Sequence, residues 1–139
     1  MDIGYLEKQL TRHEGIRLKP YHDSVGKLTL GIGRNIEDIG ISEEEALILL
    51  RNDILRVSKD LTDHIEWWSS LDEPRRLVLM NMAFNIGITR LLLFHKMLTA
   101  LQSGDYQKAA NEMKDSEWYR QIGSRALELE NQMRTGTLL

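Results

Sequence analysis

The chain has 139 residues, 42% of them hydrophobic, with no cysteine and a formal net charge of −3. That length fits one domain with a real core, or two lobes around a shared helix; without cysteine, disulfide frameworks and thiolate metal sites are excluded and packing alone must hold the fold. Charge is uneven: Lys and Arg exceed Asp and Glu by 2 over residues 1–34 and by 3 over 74–139, whereas 35–73 carries an acidic excess of 8. Short basic pairs such as Arg75-Arg76 do not make the dominant basic face of a nucleic-acid binder, so no nucleic acid is expected as partner. Charge interrupts the first ten residues where a signal peptide has its apolar core, and no stretch reaches the roughly 18 to 20 apolar residues of a membrane span. Neither a signal peptide nor stable membrane insertion is expected.

Ile3, Leu6 and Leu10 recur at helical spacing after Asp2, a suitable N-cap, and predict a short amphipathic helix over 2–12 that Gly15 can stop. Glu14 then falls in its last turn, where the helix dipole disfavours a negative charge and so favours a general acid. From Leu18 onward the period changes. Pro20 breaks helix, Asp23-Ser24-Val25-Gly26 reads as a turn, and Lys27 to Ile32 reads as a strand of a small antiparallel sheet. Gly31 and Gly33 leave room for something to approach the backbone. Asn35 to Gly40 is a connector without a strong pattern.

Ser42 followed by three glutamates is a capping box with extra acid at the positive end of the helix dipole. The apolar stripe Leu47, Leu50, Ile54, Leu55, Val57, Leu61, Ile65 and Trp68 makes this the longest helix, about 42–66, with Trp67 and Trp68 at its end and packed under Leu71. Asp72 and Pro74 start a helix through LVLMNMAFNI that is apolar nearly all round and should be the buried centre of a helical lobe, ending at Gly87. Shorter helices are expected at 89–102, 105–114, 116–121 and 124–134, broken and capped by Ser103-Gly104-Asp105, Asp115-Ser116 and Gly123-Ser124.

Glu14 and Asp23, two carboxylates on different local structures beside the strand carrying Thr29, suggest an acid/base site. In a chain with 21 acids such a pair is more often two solvated side chains. The surrounding pattern changes that balance. Glu-Gly-Ile-Arg-Leu-Lys-Pro-Tyr-His-Asp, then Gly26, then Thr29-Leu30-Gly31-Ile32-Gly33, resembles the N-terminal active-site signature of the phage-type lysozymes, glycoside hydrolase family 24. Arg75-Arg76, the run Asn81 to Gly87, Trp118-Tyr119, Arg125-Ala126 and Arg134-Thr135-Gly136-Thr137 resemble that family's later landmarks in the same order, so the likeness spans nearly the whole chain.

The resemblance implies an α+β, mostly helical, lysozyme-like fold. A small β-containing lobe (about 13–41) and a helical lobe (about 67–139 plus the helix at 2–12) would be joined by the long helix, all as one domain. It implies a muramidase that hydrolyses the β-1,4 bond between N-acetylmuramic acid and N-acetylglucosamine in bacterial peptidoglycan. Glu14 would protonate the glycosidic oxygen. Asp23 and Thr29 would hold a water on the opposite side of the sugar, or Asp23 would stabilise the oxocarbenium-like transition state. Arg125 would pair with Glu14, a cation that favours the carboxylate, and would otherwise be a capping or surface arginine. Gly33 and Asn85 would contact substrate, with a helix C-cap contact as the other reading of Asn85.

Arg34 and Asp53 stand where the T-even type of the family has a histidine–aspartate ion pair, which implies a less pH-sensitive pair here. Val25 replaces an acid, so one substrate contact is missing. The resemblance further implies a phage endolysin that waits in the host cytoplasm and reaches the periplasmic wall once a holin opens the membrane. A monomer without a cofactor is expected. The four histidines lack ligand-like spacing, so no metal is expected. Trp67 and Trp68 read as packing, with sugar stacking as the alternative; Trp118 and Tyr119 read as packing, and the RTGT segment as a structural helix end. The rival functions are a lytic transglycosylase, a non-enzymatic peptidoglycan-binding module and a helical DNA-binding domain. Asp23 and Thr29 argue against the first, all three site residues against the second, and the missing basic face against the third.

Overall fold

The computed structural model describes residues 1–138. Its order is α1 (Ile3–Glu14), β1 (Arg17–His22), β2 (Leu28–Gly31), β3 (Arg34–Asn35), α2 (Glu43–His64), α3 (Glu73–Ile86), α4 (Ile88–Leu91), α5 (His95–Gln102), α6 (Tyr106–Lys114), α7 (Glu117–Ile122) and α8 (Ser124–Thr135). This is the expected mostly helical α+β architecture. The chain divides into two compact units, Met1–Leu49 and the residues from Leu50 onward, so that the boundary falls within α2. The first helix, α1, lies in the first unit with the sheet and not with the later helices.

In the first unit, Asp2 caps α1 by accepting from Tyr5 N–H at 2.9 Å, and Gly15 ends it with φ 74°. The helix runs two residues beyond the predicted end, to Glu14, and buries none of its residues. The sheet is antiparallel in the order β1-β2-β3. Tyr21 pairs with Thr29 and His22 with Leu28, and the register shifts between Arg17 and Tyr21. The predicted strand 27–32 is shorter because the chain reverses through Gly31 and Gly33, at φ 73° and 72°, into a short β3 that no alternation pattern announced.

The capping box starts α2 as expected: Ser42 Oγ accepts from Glu45 N–H at 3.1 Å while the Glu45 carboxylate accepts from Ser42 N–H at 2.9 Å. The helix stops at His64, so Trp67 lies beyond it and Trp68 opens a separate 3₁₀ turn, Trp68–Ser70. The apolar stripe is not core along its whole length. Val57 and Leu61 are buried, as is Ile65 just beyond the helix, whereas Leu47, Ile54 and Leu55 stay exposed. Leu47 to Leu50 places apolar side chains all round the helix, and no single packing face can cover four successive positions.

The second unit holds every buried hydrophobic side chain among the described residues, from Val57 to Met133. Asp72 caps α3 with Pro74 in its first turn, and Gly87 ends it. Val78, Leu79, Met82 and Ala83 are buried, but Leu77 and Phe84 are exposed, so α3 is central on one side only. The helix expected over 89–102 is broken into α4 and α5 at Leu92–Phe94, where Phe94 leaves helical geometry (ψ 57°) and its ring meets Trp118 edge-on at 6.3 Å. No glycine or proline marks that break; it falls where Phe94 packs on Trp118.

The C-terminal end of α8 is held from a distance. Arg75 is buried on α3, donates to the carbonyls of Met133 (2.7 Å) and Arg134 (3.3 Å), bonds Asp72, and lies 3.4 Å over the Tyr106 ring. Its fork thus satisfies carbonyls that a helix end leaves orphaned. Gly136 follows in the left-handed conformation, and a Cβ there would come within 2.7 Å of the Arg75 guanidinium. The RTGT segment accordingly closes a helix, as expected.

Candidate active site

Glu14, Asp23, Thr29, Gly33 and Arg34 all belong to the first unit, and their local folding explains their posture. Glu14 is the last residue of α1, exposed, with the positive side chains of Arg12 and the ring of His13 in the same turn. Its carboxyl group lies against the α-carbon of Gly33: a Cβ on Gly33 would meet Glu14 Cδ and Oε2 at 2.9 Å. What approaches the backbone at this glycine is therefore the Glu14 carboxyl group. The positive φ of Gly33 and the bare α-carbon serve the same end, a tight reversal that faces an acid without a side chain between them.

Asp23 sits half-buried at the start of the turn. Its Oδ1 accepts from Val25 N–H (3.0 Å) and Lys27 N–H (2.8 Å), which fixes the carboxylate plane and, among the described residues, leaves Oδ2 without a protein partner. Thr29 is buried on β2 and donates its hydroxyl proton to the Lys27 carbonyl at 2.8 Å. That same carbonyl accepts from Asp23 N–H at 2.9 Å. The Lys27 carbonyl thus ties Asp23 to Thr29, and the Lys27 N–H separately fixes the Asp23 carboxylate. Sequence reading missed this role because it belongs to the backbone; the turn spacing from Asp23 to Lys27 was the available signal. The Lys27 side chain points elsewhere, to Glu37 and Asp38.

The expected ion pair needs correction. Arg34 binds Glu45, not Asp53: its two terminal nitrogens lie 3.0 and 2.8 Å from the two Glu45 oxygens, and it also donates to the Gly40 carbonyl. Asp53 pairs instead with Arg56 one turn along α2. The guanidinium fork matches a carboxylate in two-point geometry, and Glu45 is already presented by the capping box at the nearest turn of the helix. Bonding from Arg34, then from Ser42, pulls the Glu45 carboxyl down from 4.5 to about 2.

In the second unit, Arg125 near the start of α8 is half-buried and donates to Asn81, through Nε to the side-chain oxygen at 2.8 Å and to the main-chain carbonyl at 3.3 Å. Asn81 was legible only as part of the NMAFNIG landmark. Asn85 accepts the indole N–H of Trp118 at 2.9 Å through Oδ1, which commits its oxygen to α7 and leaves its amide N–H groups available. Neither residue caps a helix. Val25 is exposed at the tip of the turn. Among the described residues no cluster of three metal-ligating side chains occurs, and no helix is long and apolar enough to cross a membrane.

A mostly helical α+β frame with a small three-stranded antiparallel sheet, carrying one carboxyl group against a bare glycine and a second clamped beside a threonine, fits the lysozyme-like class. Residues 11–134 match the phage lysozyme family, and the chain belongs to it. It is 32% identical to the pre-baseplate central spike protein Gp5 of Enterobacteria phage T4, over 96% of this chain and 28% of that protein. It is 26% identical to the probable T4-type lysozyme 1 of Dictyostelium discoideum, over 98% and 97% of the two chains. Against the endolysin of Acyrthosiphon pisum secondary endosymbiont phage 1 the identity is 36%, over 74% and 70%. The chain thus spans less than a third of the spike protein and nearly the whole of the Dictyostelium one.

Proposed function

We propose that this chain is a muramidase that cleaves the β-1,4 bond between N-acetylmuramic acid and N-acetylglucosamine in bacterial peptidoglycan. The observation that carries this reading is the Lys27 peptide joining Asp23 to Thr29 while Gly33 makes room for the Glu14 carboxyl group. Glu14 acts as general acid, because an alkoxide is a poor leaving group until it is protonated. Thr29 has spent its own proton on Lys27, so its oxygen can only accept. A water that donates one hydrogen to Thr29 Oγ1 and the other to Asp23 Oδ2 has both hydrogens engaged and a lone pair free for the anomeric carbon. Asp23 then takes the proton as the bond forms, an inverting course.

Arg125, steadied by Asn81, and the Asn85 amide N–H groups are proposed donors to the sugar. The enzyme acts as a monomer without cofactor, waits in the host cytoplasm and reaches the wall at lysis. The test is digestion of purified peptidoglycan by wild type and by Glu14→Gln, with mass analysis of the fragments. Reducing muramic ends that fall by about 10²–10⁴-fold in the variant are expected, the span that a positioned acid contributes. Equal release by both proteins removes Glu14 from the chemistry, and 1,6-anhydro ends make the enzyme a transglycosylase.

The match to a spike protein supports a second reading of context, in which the same hydrolase is a module of a larger phage assembly. The size of the native gene product in infected cells decides between the two: a species of about this chain's mass supports the endolysin, a much larger one the module.

A further inference from the structure

A pocket of about 430 Å³ lies in the second unit, between the end of α2 and α5, and none of the proposed site residues lines it. Its aromatic wall is Trp67, half-buried and packed against the core from one side. Around it stand Asp63, His64, Glu66, Thr99 and Gln102, with leucine and isoleucine side chains behind. The molecule's other two indoles are committed, Trp68 N–H to the Arg76 carbonyl and Trp118 N–H to Asn85. Among the described residues the Trp67 indole N–H and the side chains of Glu66, Thr99 and Gln102 have no hydrogen-bond partner. His64 donates through Nδ1 to the Asp60 carbonyl at 2.8 Å, which leaves Nε2 on the other side of the ring.

We infer that this pocket is a second saccharide-binding site, one that takes a neutral N-acetylhexosamine unit of a glycan chain. A pyranose presents an apolar C–H face to an aromatic ring and a rim of hydroxyl and amide groups that need donors and acceptors beside that ring. A half-buried indole bordered by the Glu66 carboxylate, the Gln102 amide, the Thr99 hydroxyl and the outer nitrogen of His64 supplies both. The volume lies in the range of small-ligand pockets. Charge selects the sugar: with Asp63 paired to Lys59, Glu66 is the carboxylate left to the pocket, and beside His64 and His95 neither lysine nor arginine lines it, so an anionic muramic acid lactyl group is disfavoured against a neutral N-acetylglucosamine. Only the choice of glycan rests on the muramidase reading. A second contact on the same polymer raises the effective concentration of a long chain at the catalytic site and does nothing for a fragment too short to reach both.

The test follows the three indole resonances of the full chain during titration with tetra-N-acetylchitotetraose, and compares Trp67→Ala and Gln102→Ala in digestion of insoluble peptidoglycan and of a short soluble muropeptide oligomer. A saturable shift of the Trp67 indole, absent in Trp67→Ala, is expected. A KM on insoluble wall roughly tenfold higher in both variants, with kcat/KM on the short oligomer unchanged, is also expected, a modest share of the gain that linked sites provide. Gln102 is exposed and its variant keeps the fold, so a destabilised Trp67→Ala does not spoil the comparison. An unmoved Trp67 indole, or a Gln102→Ala enzyme equal to wild type on insoluble wall, overturns the inference. Binding at Trp67 by a protein that releases nothing from peptidoglycan upholds the pocket and removes the muramidase reading; hydrolysis with an unmoved indole does the reverse.

Discussion

Gly33 carries two demands at one position, and a single methyl group tests both. Alanine there must adopt a φ of 72° and place its Cβ within 2.9 Å of the Glu14 carboxyl group. Gly33→Ala is expected to lose about 1–2 kcal/mol of stability from the left-handed backbone. It is expected to lose on the order of 10²-fold in kcat, the usual cost of an acid displaced by about an ångström. Urea unfolding and wall-clearing kinetics on the same preparation separate the two effects, and an unchanged kcat would dissociate Gly33 from Glu14. Arg75 is the structural counterpart. Its removal leaves the carbonyls of Met133 and Arg134 unpaired and strips the cation from Tyr106. Arg75→Met is expected to cost about 3 kcal/mol of unfolding free energy, read by urea unfolding, and Arg75→Lys most of that, because an ammonium cannot span two carbonyls as a fork does.

At the scale of the element, α2 begins with a cap that is also an ion pair. Ser42→Ala is expected to cost about 1 kcal/mol by freeing the Glu45 N–H. The pH dependence follows from Glu45. Its carboxyl group is held below its ordinary value, down to about 2, first by Arg34 and then by Ser42. A group whose folded value is depressed adds stability that is complete above its unfolded value, near 4.5, and vanishes as the pH falls through the folded one. The gap in thermal midpoint between wild type and Glu45→Gln should therefore be full above pH 4.5 and close as pH 2 is approached. The pair is solvent-exposed, so added salt should shrink the gap. Arg34 stays charged throughout, so no second transition near neutrality is expected, unlike a histidine at this position.

Across the whole molecule, burial is lopsided. The buried hydrophobic side chains all belong to residues from Val57 to Met133, and the first unit's one buried residue among those described is Thr29, a hydroxyl-bearing member of the proposed site. Local stability follows buried apolar contact, so native-state amide exchange should be slowest in α3, α6 and α8 and fastest over residues 1–49. Equal protection across both units would contradict this distribution. The proposed acid and water-holding groups then sit on the less protected unit, held by backbone hydrogen bonds rather than by a core.

Much of this was legible one element at a time. Asp2, Ser42, Asp72, Asp105 and Ser116 announce helix starts because a cap joins groups two or three residues apart, and Gly15, Gly87 and Gly136 announce ends because only glycine takes those backbone angles without strain. The motif from Glu14 to Gly33 marks the family for the same reason: its groups are near one another in the chain. Other features needed the folded chain. The exchange of Asp53 for Glu45 as partner of Arg34, the packing of Phe94 on Trp118 at the break between α4 and α5, the end of α8 held by Arg75 from 58 residues away, and the placing of Glu14 against Gly33 each join groups that local rules treat as independent. Caps and turns are decided by covalent neighbours within one or two peptide units. Partners across the chain are decided by which side chains the packed elements bring within bonding distance, and no local pattern contains that distance.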